Sequence, residues 1–186
     1  MTRSIVISGP PAVGKSTVAR ILAERYGMEW LDGGSMLKEL ARERGFDPSG
    51  EDWWDTAEGM RFLDVREKDF GIDIRVDDLL TERCNDGGVV VTSYTLPWLQ
   101  NDAVKVWLEC SRDVSARRLQ GRDGVGAEEA YRIAQSRYDR NVDLYRRHYN
   151  FRFGRDDSVF DIVVQTDGKD VEQVVAELAG RLEEMR

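Results

Sequence analysis

A glycine-bounded loop near the N-terminus separates an apolar β-type run from a helical stripe. The run covers residues 3–8, and Val18, Ile21 and Leu22 form the stripe. Between them stand Gly9, Pro10, Pro11, Ala12, Val13, Gly14, Lys15, Ser16 and Thr17. The pattern Gly-x-x-x-x-Gly-Lys-Ser between a strand and a helix is that of a phosphate-binding P-loop. Residues 9–17 therefore predict a site for a nucleoside triphosphate.

Each part of this loop has a chemical task. The glycines let successive backbone N–H groups face a phosphate, and the following helix adds the positive end of its dipole. We expect Lys15 to reach the β- and γ-phosphates as a point charge, and Ser16 to offer its hydroxyl to Mg²⁺. The sequence thus predicts ATP as the phosphoryl donor and Mg²⁺ as its cofactor.

Strands and helices alternate along the chain, which has 186 residues and is expected to form one domain, residues 1–186. The β-type runs cover residues 3–8, 28–32, 88–93, 103–110 and 161–166. Alternation of this kind predicts an α/β fold with a parallel sheet of five strands between two layers of helices. Ligands of such sheets bind beyond the carboxyl ends of the strands. The loops after Ser8, Asp32, Ser93 and Cys110 should therefore surround one crevice.

Composition excludes several classes of partner. The net charge of −8 argues against a nucleic-acid polymer, whose binding needs an excess of Lys and Arg. Cys84 and Cys110 have neither metal-ligand spacing nor a disulfide framework, so both are expected to be free thiols. No apolar run approaches the length of a membrane span. We expect a cytoplasmic monomer that acts on a small molecule.

Two segments are not expected to belong to the core. Residues from about Phe46 to Asp69 are rich in acidic and aromatic side chains, including Trp53 and Trp54. They form either a solvated helix pair or a surface that contacts an acceptor. Trp53, Trp54 and Trp98 either stack on a ring of the acceptor or pack inside the protein. Residues 117–155 carry much of the arginine of the chain, and their spacing favours a lid.

A second helix start lies after the second β-type run, where residues 31–38 read Leu-Asp-Gly-Gly-Ser-Met-Leu-Lys. The glycines, Gly34 among them, would bring another helix N-terminus near an anion, and Lys38 could hold that anion. A donor and a phosphorylated acceptor require such a two-anion crevice. Asp32, Asp73 and Asp77 are candidates to contact the acceptor or the magnesium shell, or to cap helices.

The order of several motifs along the chain is informative. They are the P-loop, residues 31–38, residues 72–77, residues 116–122, Arg137, Tyr145 with Tyr149, and residues 158–166. This order resembles the nucleoside monophosphate kinases, and within them the archaeal type of cytidylate kinase. The resemblance implies a three-layer P-loop fold with an acceptor-binding insert at about 33–80 and an arginine-rich lid at about 117–155. It also implies that Arg118, Arg122 and Arg137 close over the transferring phosphoryl group.

The chain departs from this family at the acceptor side. Lys38 stands where the family has an arginine, so a two-pronged phosphate contact becomes a point charge. After the third β-type run the family has an acidic residue, glycine and arginine, whereas this chain has Thr92, Ser93 and Tyr94. Asp78 and Leu79 replace a pair of arginines. At least two acceptor-site guanidinium groups are missing.

Three functions remain open at this stage. The first is ATP-dependent phosphoryl transfer to a nucleoside monophosphate, CMP above all. The second keeps the same chemistry but uses another small acceptor, such as a sugar, a sugar acid or an isoprenoid precursor. The third is a nucleotide-binding regulatory module with weak hydrolysis. The arginines of the lid favour a kinase, since they serve phosphoryl transfer rather than binding alone.

Overall fold

The computed structural model describes residues 3–50, 53–54, 56–100, 102–120, 126–156 and 158–185. The strands are β1 (Ile5–Ser8), β2 (Glu29–Asp32), β3 (Val89–Thr92), β4 (Val104–Glu109) and β5 (Ile162–Gln165). The helices are α1 (Lys15–Tyr26), α2 (Gly33–Glu43), α3 (Ala57–Lys68), α4 (Gly71–Asp86), α5 (Leu96–Leu99), α6 (Arg112–Gln120), α7 (Ala127–Tyr149) and α8 (Val171–Glu184).

The five strands form one sheet in the order β2-β3-β1-β4-β5, and every neighbouring pair is parallel. All five predicted strands are confirmed. Because β3 and β4 flank β1, the chain crosses from one side of β1 to the other, which opens a crevice at the carboxyl ends of these central strands. The loop after Ser8 lies at that opening.

Side chains of β1 alternate between two hydrophobic clusters. Ile5 and Ile7 pack with buried residues of α1 and α8, whereas Val6 packs with buried residues of α2, α3 and α4. A strand of a parallel sheet that is covered on both faces buries its residues in succession, and all four residues of β1 are buried. The sheet therefore separates a core under the P-loop from a core under the predicted acceptor side.

The aromatic segment around Trp53 belongs to the second core. Trp53 is 2% exposed and Phe62 is fully buried, and both pack in the cluster that contains Val6. Phe46 meets Phe62 edge-on, with ring centroids 5.4 Å apart. The prediction that residues from about Phe46 to Asp69 lie outside the core is wrong, and the alternative that Trp53 and Trp54 pack inside the protein is confirmed. The aromatic side chains of this segment are drawn into the core because each buries a large apolar area.

Two helix ends have the predicted form. Gly27 ends α1 with φ 62°, a left-handed conformation that glycine adopts without strain. Asp170 caps α8, where its carboxylate accepts from the Gln173 backbone N–H while the Gln173 side chain accepts from the Asp170 backbone.

Both cysteines are free thiols, as predicted. Among the described residues, no helix combines the length and the apolarity that crossing a bilayer demands.

The predicted lid corresponds to α6 and α7. These helices pack against each other, and Leu119 of α6 is buried with Ala130 and Ala134 of α7. Residues 121–125 between them, including Arg122, lie outside the described residues.

Candidate active site

The P-loop forms a concave turn between β1 and α1. Ala12 has φ 56° and Gly14 has φ 100°, so two left-handed residues curl the backbone just before the helix starts. Left-handed and right-handed residues in alternation turn successive N–H groups toward one side, which suits an anion. The side chain of Val13 is buried below the loop and fixes it to the core.

Gly9 permits the tight exit from β1. It has φ 152°, and a Cβ atom there would lie 2.3 Å from the carbonyl oxygen of Leu108 in the neighbouring strand. Such a distance is well inside van der Waals contact. Glycine at this position therefore allows the start of the loop to pack against β4.

Lys15 folds back over the loop that precedes it. Its Nζ donates to the carbonyl oxygens of Gly9 at 2.9 Å and of Pro10 at 2.7 Å, and it lies 5.1 Å from the ring centroid of Tyr94. Among the described residues no carboxylate forms a salt bridge with it. The protein atoms around it displace water and lower the pKa of Lys15 from 10.5 to about 7.

These features test whether ATP with Mg²⁺ fits this chain. A partly buried cation without a carboxylate partner is stabilised by an incoming anion, and the curled backbone beside it offers N–H donors. Ser16 and Thr17, in the first turn of α1, are exposed and line the same crevice. The residues present therefore fit a triphosphate, and the hydroxyl of Ser16 is available for a magnesium ion.

The crevice beyond the P-loop has a volume of about 820 Å³. It brings together most of the predicted site residues from separate parts of the chain. Those that line it are Pro11, Ala12, Val13, Gly14, Lys15, Ser16, Thr17, Asp32, Gly34, Asp73, Asp77 and Arg118. Gly9 and Pro10 contribute to the site through the carbonyl groups that hold Lys15.

Asp32 caps α2 at the edge of this crevice. Its carboxylate accepts from the Ser35 backbone N–H at 2.9 Å and from the Ser35 hydroxyl at 2.5 Å. The capping alternative is therefore confirmed for Asp32. Gly34 lies in the same first turn, so the N-terminus of α2 opens toward the crevice.

Asp73 does not cap a helix but holds a buried arginine. Arg66 donates from Nε to both carboxylate oxygens at 2.9 Å and from Nη2 to Oδ1 at 2.6 Å. Tyr145, on α7, accepts from Arg66 Nη2 at 2.8 Å and donates to Asp73 Oδ1 at 3.0 Å. All three side chains line the crevice. This group joins α3, α4 and α7 by charge-assisted hydrogen bonds.

Asp77 lies one helical turn further along α4 and is 5% exposed. Its carboxylate accepts from Thr95 Oγ1 at 2.5 Å and from the hydroxyl of Tyr149 at 2.7 Å. Burial raises the pKa of Asp77 from 3.8 to about 6, and this effect exceeds the lowering by the two hydroxyl donors. Asp77 is therefore a crevice carboxyl that titrates at mildly acidic pH, and it caps no helix.

Lys38 and Tyr94 occupy positions at which the resemblance implies arginines. Lys38 donates from Nζ to the carbonyl of Gly50 at 2.6 Å, and it is not among the described residues that line the crevice. Tyr94 lines the crevice and stacks on Phe153 with centroids 5.0 Å apart. The role of Lys38 as an anion contact stays a prediction.

Arg118 is the one predicted lid arginine whose side chain the described residues include. Its Nη1 donates to the Val13 carbonyl at 3.1 Å and to the Thr166 hydroxyl at 3.0 Å, and its Nη2 donates to the Thr166 carbonyl at 3.1 Å. Arg118 thus fastens α6 to the P-loop and to the end of β5. Arg122 and the side chain of Arg137 lie outside the described residues, so their roles stay predictions.

Sequence reasoning missed Arg66 as a site residue. Its signal lay in α3, where Gly59, Phe62 and Arg66 are spaced by three and four residues and are all buried. An arginine on the apolar face of an amphipathic helix needs a buried partner, so it marks a polar site inside the fold. Tyr145 and Tyr149 were noticed only as part of a family pattern.

Comparison with known proteins identifies a family and relatives of this chain. A family model described as an AAA domain matches residues 5–143. A cytidylate kinase from Ignicoccus hospitalis is 33% identical over 167 residues, which cover 87% of this chain and 88% of the relative. A cytidylate kinase from Pyrobaculum islandicum is 33% identical over 164 residues, which cover 87% and 83%.

Solved structures share the fold at lower identity. An uncharacterized protein from Eubacterium ventriosum superposes with a TM-score of 0.69 at 17% identity, covering 97% of this chain and 98% of that one. Shikimate kinase from Acinetobacter baumannii in complex with shikimate gives 0.59 at 20% identity, covering 100% and 96%. The chain therefore belongs to the P-loop kinases of the AAA domain family, together with the archaeal cytidylate kinases.

Proposed function

We propose that this chain transfers the γ-phosphoryl group of ATP to a nucleoside monophosphate, with CMP as the acceptor. The observation that carries this proposal is the environment of Lys15, whose hydrogen bonds to described residues go to backbone carbonyl groups. Lys15 opens onto a crevice that is also lined by a polar group of residues, called the acceptor wall below: Arg66, Asp73, Asp77, Ser93 and Tyr94. The two cytidylate kinases at 33% identity support CMP over other nucleoside monophosphates.

The donor half of the reaction uses the P-loop. The backbone of residues 9–14 and the N-terminus of α1 bind the phosphate oxygens, and Lys15 spans the β- and γ-phosphates. Ser16 would hold the metal through its hydroxyl. When bound, Mg²⁺ would neutralise part of the phosphate charge. Little covalent chemistry is needed, since phosphoryl transfer depends on alignment and on charge stabilisation.

The lid arginines complete this proposal. Arg122 and Arg137 would face the equatorial oxygens of the transferring group, where negative charge spreads in the transition state. Arg118 has a positioning role, because its guanidinium holds Val13 and Thr166. The lid would thereby exclude water from the crevice and favour phosphoryl transfer to CMP over hydrolysis of ATP.

One feature of the acceptor wall favours a different acceptor. Asp73, Asp77, Ser93 and Tyr94 line the crevice in the region where the resemblance implies guanidinium groups. Carboxylates and hydroxyls recognise the hydroxyl groups of a sugar or a sugar acid at least as well as they recognise a phosphate. A P-loop kinase of such a small molecule is therefore the second candidate.

ATP consumption against a panel of acceptors tests both candidates. ADP formation is measured with CMP, UMP, AMP, GMP, gluconate and shikimate, with Lys15→Ala as the control. We expect CMP to be phosphorylated, and we expect Lys15→Ala to lose activity by roughly 100-fold or more, because one charge on the γ-phosphate is removed. Activity with gluconate or shikimate alone would establish the second candidate instead. Slow hydrolysis without any acceptor would indicate a regulatory module.

A further inference from the structure

Arg66 has two N–H groups that no described residue accepts. A guanidinium carries five N–H donors. The donors on Nε and Nη2 bind Asp73 and Tyr145, whereas Nη1 forms no hydrogen bond with a described residue. The residue is only 7% exposed and lines the crevice. A buried arginine that lines the crevice thus keeps one edge of its fork without a partner among the described residues.

The position of this edge is fixed before any ligand arrives. Asp73 contacts Nε with both carboxylate oxygens, which sets the plane of the guanidinium. Tyr145 supports the same plane from α7. Because these bonds come from α4 and α7, rotation of Arg66 would break contacts on both helices. An incoming oxygen therefore meets two donors whose orientation is already determined.

The accessibility of Nη1 decides whether a ligand can bind this edge. An unpaired donor on a buried charged group is less stable than a paired one. Nη1 is not among the described side-chain atoms that are both inaccessible and unpartnered, which are Ser8 Oγ, Tyr26 Oη, Trp30 Nε1 and Trp107 Nε1. Nη1 is therefore accessible, and because Arg66 lines the crevice a ligand oxygen bound there can contact it.

We propose that Arg66 binds an anionic oxygen of the phosphoryl acceptor, a contact that the resemblance would have assigned to arginines at positions 38 and 94. This inference rests on the proposed function in taking the crevice as the acceptor site. Asp73 offsets most of the charge of Arg66, so the contact depends on direction more than on net charge. The anionic group is either the phosphate of a nucleoside monophosphate or the carboxylate of a sugar acid.

Kinetics of matched variants test this assignment. Arg66→Lys keeps a cation opposite Asp73 but loses the planar fork, and Arg66→Met removes both. Arg83→Met is the control, because Arg83 forms an exposed salt bridge with Glu29 away from the crevice. We expect the KM for CMP to rise roughly 10- to 100-fold in both Arg66 variants. The KM for ATP should stay within about threefold in both, and Arg83→Met should match the parent.

Thermal unfolding shows whether Arg66→Met is folded. If Arg66→Met does not fold, the kinetic comparison relies on Arg66→Lys alone. A folded Arg66→Lys variant with the parental KM for CMP would overturn the proposal. If the parent phosphorylates gluconate or shikimate instead of CMP, a rise in the KM for that acceptor in the Arg66 variants would assign the contact to a carboxylate.

A binding measurement separates this inference from the proposed function. The P-loop is first saturated with Mg²⁺ and a non-hydrolysable ATP analogue, and binding of CMP and of inorganic phosphate is then measured by calorimetry. If the parent phosphorylates no acceptor, the proposed function fails. Loss of phosphate binding in Arg66→Lys would still support the Arg66 contact, and unchanged binding would overturn it.

Discussion

The hydroxyl of Tyr149 donates a 2.7 Å hydrogen bond to the carboxylate of Asp77 and thereby ties α7 to α4. Thr95 donates to the other carboxylate oxygen from the segment after β3. Three elements that are distant in sequence thus meet at one buried acid, beside the Arg66 and Asp73 pair. The stability of this junction should depend on whether Asp77 carries a proton.

We expect Asp77→Asn to weaken the dependence of stability on pH. Because the pKa of Asp77 is about 6 in the folded chain and ordinarily 3.8, the folded state binds this proton more tightly. The resulting stabilisation is complete below pH 3.8 and is lost as pH rises through 6. The difference is on the order of 2–3 kcal/mol in the free energy of unfolding.

Urea unfolding between pH 4 and pH 8 measures this effect. The parent should lose stability relative to Asp77→Asn as pH rises through this range. Asp78→Asn is the matched control, because Asp78 is exposed on the next position of α4. Parallel pH profiles for the parent and Asp77→Asn would contradict the prediction.

Nucleotide binding should take up a proton at Lys15. At pH 8 a lysine with a pKa of about 7 is mostly neutral, whereas phosphate oxygens stabilise its charged form. Calorimetric titration with Mg²⁺ and an ATP analogue in buffers of different ionisation enthalpy should give an uptake of about 0.9 proton at pH 8. Lys38→Ala should behave like the parent. A binding enthalpy that is independent of the buffer would show that Lys15 is already charged.

Gly9→Ala should destabilise the fold much more than Gly88→Ala. Both glycines have positive φ, but an added Cβ meets the Leu108 carbonyl oxygen at 2.3 Å only at Gly9, and at Gly88 it meets no atom within 4 Å. We expect a loss of ~3 kcal/mol or more at Gly9, against ~1 kcal/mol of backbone strain at Gly88. Denaturant midpoints of the two variants measure the difference. Equal midpoints would mean that the backbone after β1 accommodates the added Cβ without loss of stability.

Arg118→Ala and Arg137→Ala should have different effects. Loss of the Arg118 bonds to Val13 and Thr166 should lower the melting temperature and raise the KM for ATP, because the P-loop loses a support. Arg137→Ala should lower kcat more than it changes the KM for ATP, since a lid charge acts mainly in the transition state. The same kinetic pattern in both variants would refute this division of roles.

The sheet could be predicted from sequence because its signals are local. The P-loop motif stands between a strand and a helix within about twenty residues, and the apolar runs of the other strands are continuous. The assignment of the Trp53 segment failed because acidic residues between the aromatic ones obscured its buried face. Burial of Phe62 depends on packing against β1, which no local pattern specifies.

The acceptor wall could not be predicted for a related reason. Arg66 and Tyr145 are 79 positions apart, and Asp77 and Tyr149 are 72 positions apart. Contacts across such separations follow from the arrangement of helices around the sheet rather than from spacing along the chain. Asp73 and Asp77 line the crevice, and their contact with an acceptor stays a prediction. Their partners within the chain were not predicted.

The alternation of side chains along β1 has a consequence for how this enzyme can change. Ile5 and Ile7 support the layer that contains α1, whereas Val6 supports the layer that contains Phe62. A substitution around Phe62 can reshape the acceptor wall without disturbing the packing beneath the nucleotide loop, because the sheet stands between them. New acceptors can thus be acquired by changes on one side of the sheet while the packing that supports the P-loop on the other side is kept.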